Sequence, residues 1–106
     1  MKIIYNNIIP FKGFIALNLF GIVFARKEHG PLSRRTLCHE AIHTAQMRET
    51  LYVPFYLWYV AEWLIKLIPY GRRAYANLSL EREAYRHQDD PGYLRTRKTW
   101  AWLKMI

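Results

Sequence analysis

One apolar segment limits the possible folds of this chain more than any other feature. The stretch 54–68 is apolar nearly all round a helix, and its only charges, Glu62 and Lys66, form an i, i+4 pair in the favourable order. With Tyr59 they make one narrow polar stripe. Because a bilayer span needs about 20 apolar residues, the sequence favours a core helix over 54–68 that ends before Pro69. A helix lying on a membrane surface stays open as the alternative.

The rest of the chain is long enough to surround one such core. It has 106 residues, 52% apolar and 16% aromatic, which indicates a single folded domain over residues 1–106 and excludes extensive disorder. A single cysteine, Cys38, excludes an internal disulfide framework. We interpret Cys38 as a buried helix residue and not as a nucleophile.

The charge balance is strongly basic, with a formal net charge of +8. The basic pairs lie far apart and no nucleic-acid-binding motif is present, so we expect a solvated basic surface and no nucleic-acid partner. The N-terminal segment does not have the pattern of a secretion signal, because asparagines and Pro10 interrupt its apolar run. The expectation is a cytoplasmic location, with peripheral membrane contact as an option.

The first part of the chain is rich in strand-forming residues and in turn residues. Residues 1–28 predict a short antiparallel or mixed sheet, in which the runs 14–17 and 22–25 could pair as a hairpin. A break follows, and Ser33 is then a natural N-cap. Apolar spacing of helical period, without glycine or proline, predicts a helix over 33–50.

Three further helices are predicted after this one. In addition to the apolar helix 54–68, the pattern indicates a helix over 77–88, capped by Asn77 or Ser79, and an amphipathic helix over 93–104. The predicted fold class is therefore α+β, a short sheet followed by a core of about four helices.

The segment with the clearest chemistry is His39-Glu40-Ala41-Ile42-His43, inside the predicted helix 33–50. Residues four apart lie on one helix face, so the two histidines can present ring nitrogens to one metal ion. Zn²⁺ takes such nitrogens at about 2.0–2.1 Å, and a catalytic site keeps one position open for water. Glu40 lies off the ligand face, where it can act as general base on that water. Zn²⁺ is the expected metal, although two histidines and a carboxylate also occur in non-haem iron sites.

A catalytic zinc site needs a third protein ligand, which is expected downstream. The other histidines, His29 and His87, lie in a turn and at a helix end. The predicted helix 77–88 offers two carboxylates, Glu81 and Glu83, which lie on different helix faces. The residues alone therefore leave Glu81 and Glu83 as rival ligands.

An HExxH motif followed by a helix with a ligand glutamate resembles the gluzincin metallopeptidases, of which thermolysin is the familiar member. In that family the glutamate commonly opens a Glu-x-x-x-Asp or Glu-x-x-Ala-Asp pattern, and Glu81-x-x-Ala84-Tyr85 fits it with Tyr85 in place of the acid. The resemblance covers residues 14–87 and implies a minimal zincin-like fold. The metal ligands that it implies are His39, His43 and Glu81. It also implies Glu40 as the catalytic base.

The resemblance carries further expectations around the metal. In the larger members, the acid at the position of Tyr85 holds a ligand histidine, and Gln46 and Glu62 are candidates for that role here. Zincins bind extended peptide on an edge strand, for which 22–25 is the candidate. A phenol could also stabilise the oxyanion. The tyrosines near the ligand helix are Tyr70, Tyr75, Tyr85 and Tyr93.

Together these features predict a zinc-dependent metallopeptidase that hydrolyses bonds of a peptide or protein substrate. Glu40 would activate the attacking water and then pass the proton to the leaving amine. The alternative is a non-catalytic protein that keeps the metal as a structural clip. It would associate with a membrane surface or a protein partner through the apolar helix 54–68 and its basic surface.

Overall fold

The structure, a computed structural model, describes residues 1–10, 12 and 14–106. Within these ranges the strands are β1 (Lys2–Asn6), β2 (Ala16–Leu19) and β3 (Ile22–Arg26). The α-helices that follow are α1 (Arg34–Glu49), α2 (Val53–Tyr70), α3 (Ser79–His87) and α4 (Tyr93–Thr96). Short 3₁₀ turns lie at Lys27–His29, Gly71–Arg73, Tyr75–Asn77 and Ala101–Met105. The predicted α+β class, a short sheet followed by helices, is confirmed.

The sheet is mixed, with β3 in its centre. β1 is parallel to β3, and β2 pairs with β3 antiparallel, with Leu17 opposite Phe24. This is the predicted hairpin, but its first strand is Ala16–Leu19 and not 14–17. The connection between β2 and β3 is Phe20-Gly21, where both residues have positive φ (53° and 88°), as in the turns that join twisted strands tightly. Since β3 is paired on both sides, the prediction that the run 22–25 is an edge strand is wrong. Within the described residues β2 is an edge strand.

Helix α1 nearly coincides with the range predicted for it. The Ser33 hydroxyl accepts the Thr36 N–H at 3.2 Å, which makes Ser33 the expected N-cap. At the other end, Leu51 and Tyr52 both have positive φ and turn the chain sharply into α2.

Two apolar clusters enclose α1. Val23, Ala25 and Leu32 are buried between the sheet and the first half of the helix, where Leu37 packs against them. Beyond the second half, one cluster joins α1, α2, α3 and the last 3₁₀ turn. Its buried members are Met47, Phe55, Leu80 and Trp102. These contacts hold α1 against the helices that carry the remaining site residues.

Helix α2 is longer than predicted. Pro54 lies in its first turn, but Pro69 lies within its last turn, because the Gly71 N–H reaches back to the Leu67 carbonyl oxygen and closes the helix beyond the proline. The buried residues of α2 are Phe55 and Glu62, and most of its other apolar side chains are exposed. The predicted core helix is therefore buried on one face only. No single helix in the described ranges is long and apolar enough to cross a bilayer, although α1 and Val53–Arg73 meet that criterion together as a pair bent by 110°.

Helix α3 begins without the side-chain cap that was predicted. Neither Asn77 nor Ser79 caps it with its own side chain. Instead, both carboxylate oxygens of Glu62 accept the Ser79 N–H, at 3.0 and 3.1 Å, and Glu62 Oε1 also accepts the Ser79 hydroxyl at 2.6 Å. The Glu62 carboxylate, from α2, thus accepts an N–H that has no partner within α3. Its negative charge also interacts favourably with the positive, N-terminal end of the helix dipole.

The continuous helix predicted over 93–104 does not form. α4 ends at Thr96, and a separate 3₁₀ turn begins at Ala101. Trp100, between them, has a left-handed backbone with φ of 65°, and the Arg97 side chain turns inward onto Glu49 and Glu83. The buried ion pairs therefore override the amphipathic pattern of this segment.

Glu62 gives a pH-dependent stability prediction. Burial would raise its pKa, but hydrogen bonds from Lys66 and Ser79 outweigh that effect and hold the pKa below the usual value of a glutamate. We expect Glu62→Gln to lower the free energy of unfolding by about 1–3 kcal/mol at pH 7. Since the folded pKa is the lower one, the Glu62 contribution is present above the unfolded value and is lost as the pH falls through the folded pKa.

Urea unfolding of both proteins at pH 7 and at pH 3 measures this effect. The difference between them should shrink in acid. Asp89→Asn is the control, because Asp89 pairs with Arg35 on the exposed surface and should contribute little. A Glu62→Gln penalty that is the same at both pH values would contradict the assignment.

Candidate metal centre

Two helices bring together three side chains of the kinds that commonly bind metal ions. His39 and His43 lie on α1, with their Nε2 atoms 3.1 Å apart. Glu81 on α3 places Oε1 at 3.0 Å from His39 Nε2 and at 3.1 Å from His43 Nε2. All three side chains are buried. The structure thus brings together the three residues that the sequence analysis names as ligands, and we call this group the His-His-Glu cluster.

The dimensions of the His-His-Glu cluster fit a tetrahedral metal ion. Three ligand atoms at about 2.0–2.1 Å from zinc in tetrahedral geometry are about 3.3–3.4 Å from one another. The observed separations of 3.0–3.1 Å fall a few tenths of an ångström short of that. A zinc ion would therefore need only small side-chain adjustments.

Hydrogen bonds fix which ring nitrogens point into the cluster. Gln46 Nε2 donates to the Leu80 carbonyl oxygen and to Glu83 Oε1, both at 2.9 Å, so Gln46 Oε1 is the atom that faces His43. His43 Nδ1 lies 2.8 Å from it and must carry the donated proton. His39 Nδ1 lies 2.9 Å from Gln88 Oε1, an acceptor that pairs with a protonated Nδ1. The Nε2 lone pairs therefore converge on a carboxylate oxygen, an arrangement that requires a cation.

The electrostatics of the cluster favour a positive charge. Burial would lower the pKa of His43, but the Glu81 carboxylate outweighs this effect and raises it to about 9. Burial would likewise raise the pKa of Glu81, but His43 and the hydrogen bonds from His39 and Tyr59 hold it well below its usual range. The Glu81 charge therefore favours a cation at this point, either a proton on His43 or a metal ion.

The second oxygen of Glu81 has its own partner. The Tyr59 hydroxyl of α2 donates to Glu81 Oε2 at 2.6 Å, which leaves Oε1 for the cluster. Burial and the Glu81 charge both raise the pKa of Tyr59, so it stays a neutral donor. Tyr59 belongs to the polar stripe that the sequence predicts for this helix, and no role is predicted for it. Tyr59 shares its side of the helix with Glu62 and Lys66, and this position is the sequence signal that could have indicated a role for it.

Glu83, the rival ligand, lies away from the cluster. It is completely buried and accepts hydrogen bonds from Gln46, from Tyr93 at 2.6 Å and from Arg97. Side chains two positions apart on a helix point to different faces, so Glu81 and Glu83 cannot both reach α1 at the same point. Glu83 instead holds Gln46, which in turn holds His43.

The histidine partners are partly those that were expected. Gln46 pairs with His43, whereas Glu62, the other candidate, caps α3 and within the described residues bonds Trp58, Lys66 and Ser79 but neither histidine. The Tyr85 ring packs edge-on against His39 with centroids 4.6 Å apart. Gln88 is the partner that the sequence analysis missed. It lies seven residues, two helical turns, after Glu81, and this same-face spacing is the signal that could have revealed it.

Two clefts meet at the cluster. One, of about 340 Å³, is lined by His43, Glu81 and apolar side chains, and the other, of about 440 Å³, is lined by His39, Tyr85 and Gln88. The residues that line both clefts are Phe14, Ala16, Glu40 and Tyr75. The cluster is therefore reached from a groove whose walls include the edge strand β2.

Glu40 lines both clefts. Beyond the helix ladder, its hydrogen bonds within the described residues use the backbone oxygen, which accepts from Asn18 Nδ2 at 3.1 Å and from Thr44 Oγ1 at 3.0 Å. Asn18 Nδ2 also donates to Thr44 Oγ1 at 3.1 Å, which fixes β2 beside α1. Within the described residues the Glu40 carboxylate, next to His39, thus has no hydrogen-bond partner and borders the groove.

Cys38 lies on the opposite side of this helix segment. It is half-buried, and its Sγ lies 3.5 Å and 3.6 Å from the carbonyl oxygens of Asp90 and His87. Burial, reinforced by Asp90 and Asp89, raises the pKa of the thiol. A protonated thiol is a poor nucleophile, so Cys38 packs against the end of α3 and has no part in the groove.

Comparison of this chain with protein-family models, with characterised proteins and with solved structures finds no match in any of the three.

Proposed function

We propose that the protein is a zinc-dependent metallopeptidase of minimal, zincin-like form, similar to the gluzincins. The observation that carries the proposal is the convergence of His39, His43 and Glu81 on one point, beside a carboxylate that is free to act on substrate. The HExxH spacing supplies the two histidines and Glu40 from one helix, and α3 supplies the third ligand. The groove beside the cluster gives a substrate access to it.

The residues of this chain divide the chemical work. Zn²⁺, when bound, would act as a Lewis acid and lower the pKa of a water at its open position. Glu40 takes the proton from the attacking water and delivers it to the nitrogen of the leaving amine. Gln46 and Gln88 keep the Nε2 atoms of His43 and His39 directed at the cluster. Tyr59 keeps Glu81 in place through its second oxygen.

The edge strand β2 supports an extended peptide as the substrate. Within the described residues it pairs with β3 on one side only, and Ala16, Leu17 and Asn18 line the cleft at His43. The Tyr56 hydroxyl already bonds Asn18 O and Phe20 N–H. A peptide can therefore add to this edge on the Ala16 side, through backbone hydrogen bonds that are largely independent of its sequence. The apolar wall formed by Met47 and Phe55 favours an apolar side chain near the scissile bond.

The metal content of the purified protein tests the site. We expect near-stoichiometric zinc by elemental analysis in the wild type, its loss in Glu81→Ala and its retention in the control variant Glu28→Gln, at a half-exposed acid that pairs with Arg26. Absence of metal from the wild type, or zinc that is indifferent to Glu81, would overturn the proposal. Hydrolysis of a quenched fluorescent peptide library, abolished by a chelator and restored by zinc, then tests the activity.

Zinc without hydrolysis would instead support the non-catalytic alternative. The cluster links α1 to α3 across a short interface, so a bound metal would also stabilise the fold. In that case removal of zinc should lower the melting temperature while no peptide is cleaved at any zinc concentration.

Tyr75 is the proposed donor to the oxyanion. Its ring lines both clefts, and burial together with the Glu81 charge raises its pKa, so the hydroxyl keeps its proton. We expect Tyr75→Phe to lower turnover about 10²–10³-fold with unchanged zinc content. Steady-state kinetics measures this, with Tyr70→Phe as the control. Equal turnover in Tyr75→Phe and the wild type would place oxyanion stabilisation elsewhere.

Gln88 is expected to affect metal affinity through His39. Gln88→Ala should weaken zinc binding about 10–100-fold, because His39 loses the acceptor for its Nδ1 proton. Gln88→Glu keeps an acceptor oxygen and should restore most of the affinity. Competition with a chromophoric chelator measures both. Wild-type affinity in Gln88→Ala would show that the hydrogen bond does not position His39.

A further inference from the structure

Helix α2 is turned with its polar side chains toward the protein. Glu62 is buried against Ser79, and Lys66 is paired with Glu62 Oε2 at 2.7 Å. Lys66 Nζ also donates to the Asn77 carbonyl oxygen. Tyr59 donates to Glu81. The whole polar stripe of the helix is therefore used inside the fold.

The opposite side of α2 is apolar and exposed. Its residues recur at spacings of three and four, and their exposed fractions run from 51% to 89%. We call this surface the outer face of α2, formed by Val53, Leu57, Val60, Leu64, Ile65 and Ile68. The helix has 18 residues, so this face extends over about 27 Å. A water-facing helix would have the reverse orientation, and a contiguous apolar surface of this kind indicates an interaction site.

Positive charge lies at both ends of the outer face. Arg48 is exposed in the last turn of α1, just before α2, and Arg72 and Arg73 are exposed in the turn that follows it. Trp58 and Trp63, at 40% and 39% exposure, lie at the borders of the face, as aromatic residues do at a membrane interface.

The acidic side chains leave the surface charge largely uncompensated. Most of them are buried or paired within the fold. These engaged acids are Glu28, Glu49, Glu62, Glu81, Glu83 and Asp89. The net charge of +8 is therefore presented outward mainly by lysines and arginines. An anionic surface is the complement of such a protein.

We propose that the outer face of α2 binds the surface of an anionic lipid membrane. The helix lies in the interface plane, its apolar side chains enter the boundary between headgroups and acyl chains, and Arg48, Arg72 and Arg73 contact lipid phosphates. The charges favour lipid over a second copy of the chain. A two-fold pairing of antiparallel α2 helices would bring Arg48 of one copy to Arg72 and Arg73 of the other, where like charges repel.

Vesicle flotation tests the proposal without depending on zinc or on peptide hydrolysis. We expect the full chain to float with vesicles of phosphatidylcholine and phosphatidylglycerol, and much less with phosphatidylcholine alone. The double variant Leu64→Gln/Ile68→Gln should lower the partition coefficient by about tenfold or more. Ile8→Gln, at a residue 81% exposed outside α2, is the matched control and should bind like the wild type.

Two further readouts distinguish apolar insertion from purely electrostatic adsorption. High salt should weaken the wild-type binding but leave a remainder, because the apolar contact is not screened. Brominated lipids should quench tryptophan fluorescence in the wild type and much less in the double variant. Leu57→Gln should reduce partitioning in the same direction, and unchanged circular dichroism would show that each variant is folded.

Several outcomes would overturn the proposal. They are no flotation with anionic vesicles, flotation that salt abolishes completely, or flotation that the double variant leaves unchanged. A dimer in sedimentation velocity that the double variant dissociates, without vesicle binding, would assign the outer face to a second copy of the chain.

Discussion

Replacement of Glu40 by glutamine is expected to lower the rate of peptide hydrolysis about 10²–10⁴-fold while the zinc content stays at the wild-type level. The amide keeps the size of the side chain but cannot take a proton from the attacking water. The metal should remain because Glu40 is not part of the His-His-Glu cluster, whose atoms come from His39, His43 and Glu81. Initial rates on a fluorogenic peptide, with elemental analysis of the same samples, measure both quantities.

The control for this experiment is the same substitution at a glutamate outside the site. Glu28→Gln changes a half-exposed side chain that pairs with Arg26, on the turn before α1. It should hydrolyse peptide at the wild-type rate. Full activity in Glu40→Gln would show that another group accepts the proton, and loss of zinc would show that Glu40 is a ligand.

Replacement of Arg97 by methionine is expected to lower the free energy of unfolding by about 3–5 kcal/mol. Arg97 is nearly buried between Glu49 and Glu83, donating to Glu49 at 2.7 and 3.1 Å and to Glu83 Oε1 at 3.0 Å. Burial would lower its pKa, but the two carboxylates outweigh this effect and raise it. Methionine keeps most of the apolar stem and leaves two buried acids without a cation.

Urea unfolding at pH 7 measures the Arg97→Met effect, and Arg95→Met, at an exposed position in the same segment, is the control. Arg95→Met should stay within about 0.5 kcal/mol of the wild type. Arg97→Met should also weaken zinc binding, since Glu83 holds Gln46 and Gln46 holds His43. A loss of stability below about 1 kcal/mol would mean that the ion pairs contribute little.

The parts of the fold that the sequence predicts are those specified locally. Ser33 lies directly before an uninterrupted helical period, and the Ser33 cap forms because only neighbouring residues are needed for it. The hairpin of β2 and β3 likewise depends on two short β-rich runs and the turn between them. The parallel pairing of β1 with β3 requires distant segments to meet, so the pattern leaves the sheet as antiparallel or mixed.

The sequence predictions are wrong where charged residues that are distant in the chain determine the local structure. Glu62 caps α3 from another helix, so no pattern around Ser79 reveals that its own hydroxyl is not the cap. Arg97 draws its segment inward and ends the predicted C-terminal helix. For α2, helical period predicts the helix, but an apolar stripe does not tell which side faces the protein.

In the candidate site, too, some features are specified by neighbouring residues and others by the packing of distant segments. His39, Glu40 and His43 are within five consecutive positions, and helix geometry alone places the two histidines side by side. The choice between Glu81 and Glu83 depends on the rotation of α3 against α1, which only the packing of the helices determines. The residues that orient the ligands, Tyr59 among them, carry no motif and become visible only once the helices are assembled.

The link from Arg97 through Glu83 and Gln46 to His43 has a consequence for biosynthesis. Arg97 follows His39, His43 and Glu81 in the chain, so the ribosome adds it after them. Until it emerges, the carboxylates of Glu49 and Glu83 lack their cation and the orientation of His43 is not yet secured. For the proposed peptidase, competence would thus depend on the segment that carries Arg97 having been made as well as the segments that carry the histidines and Glu81.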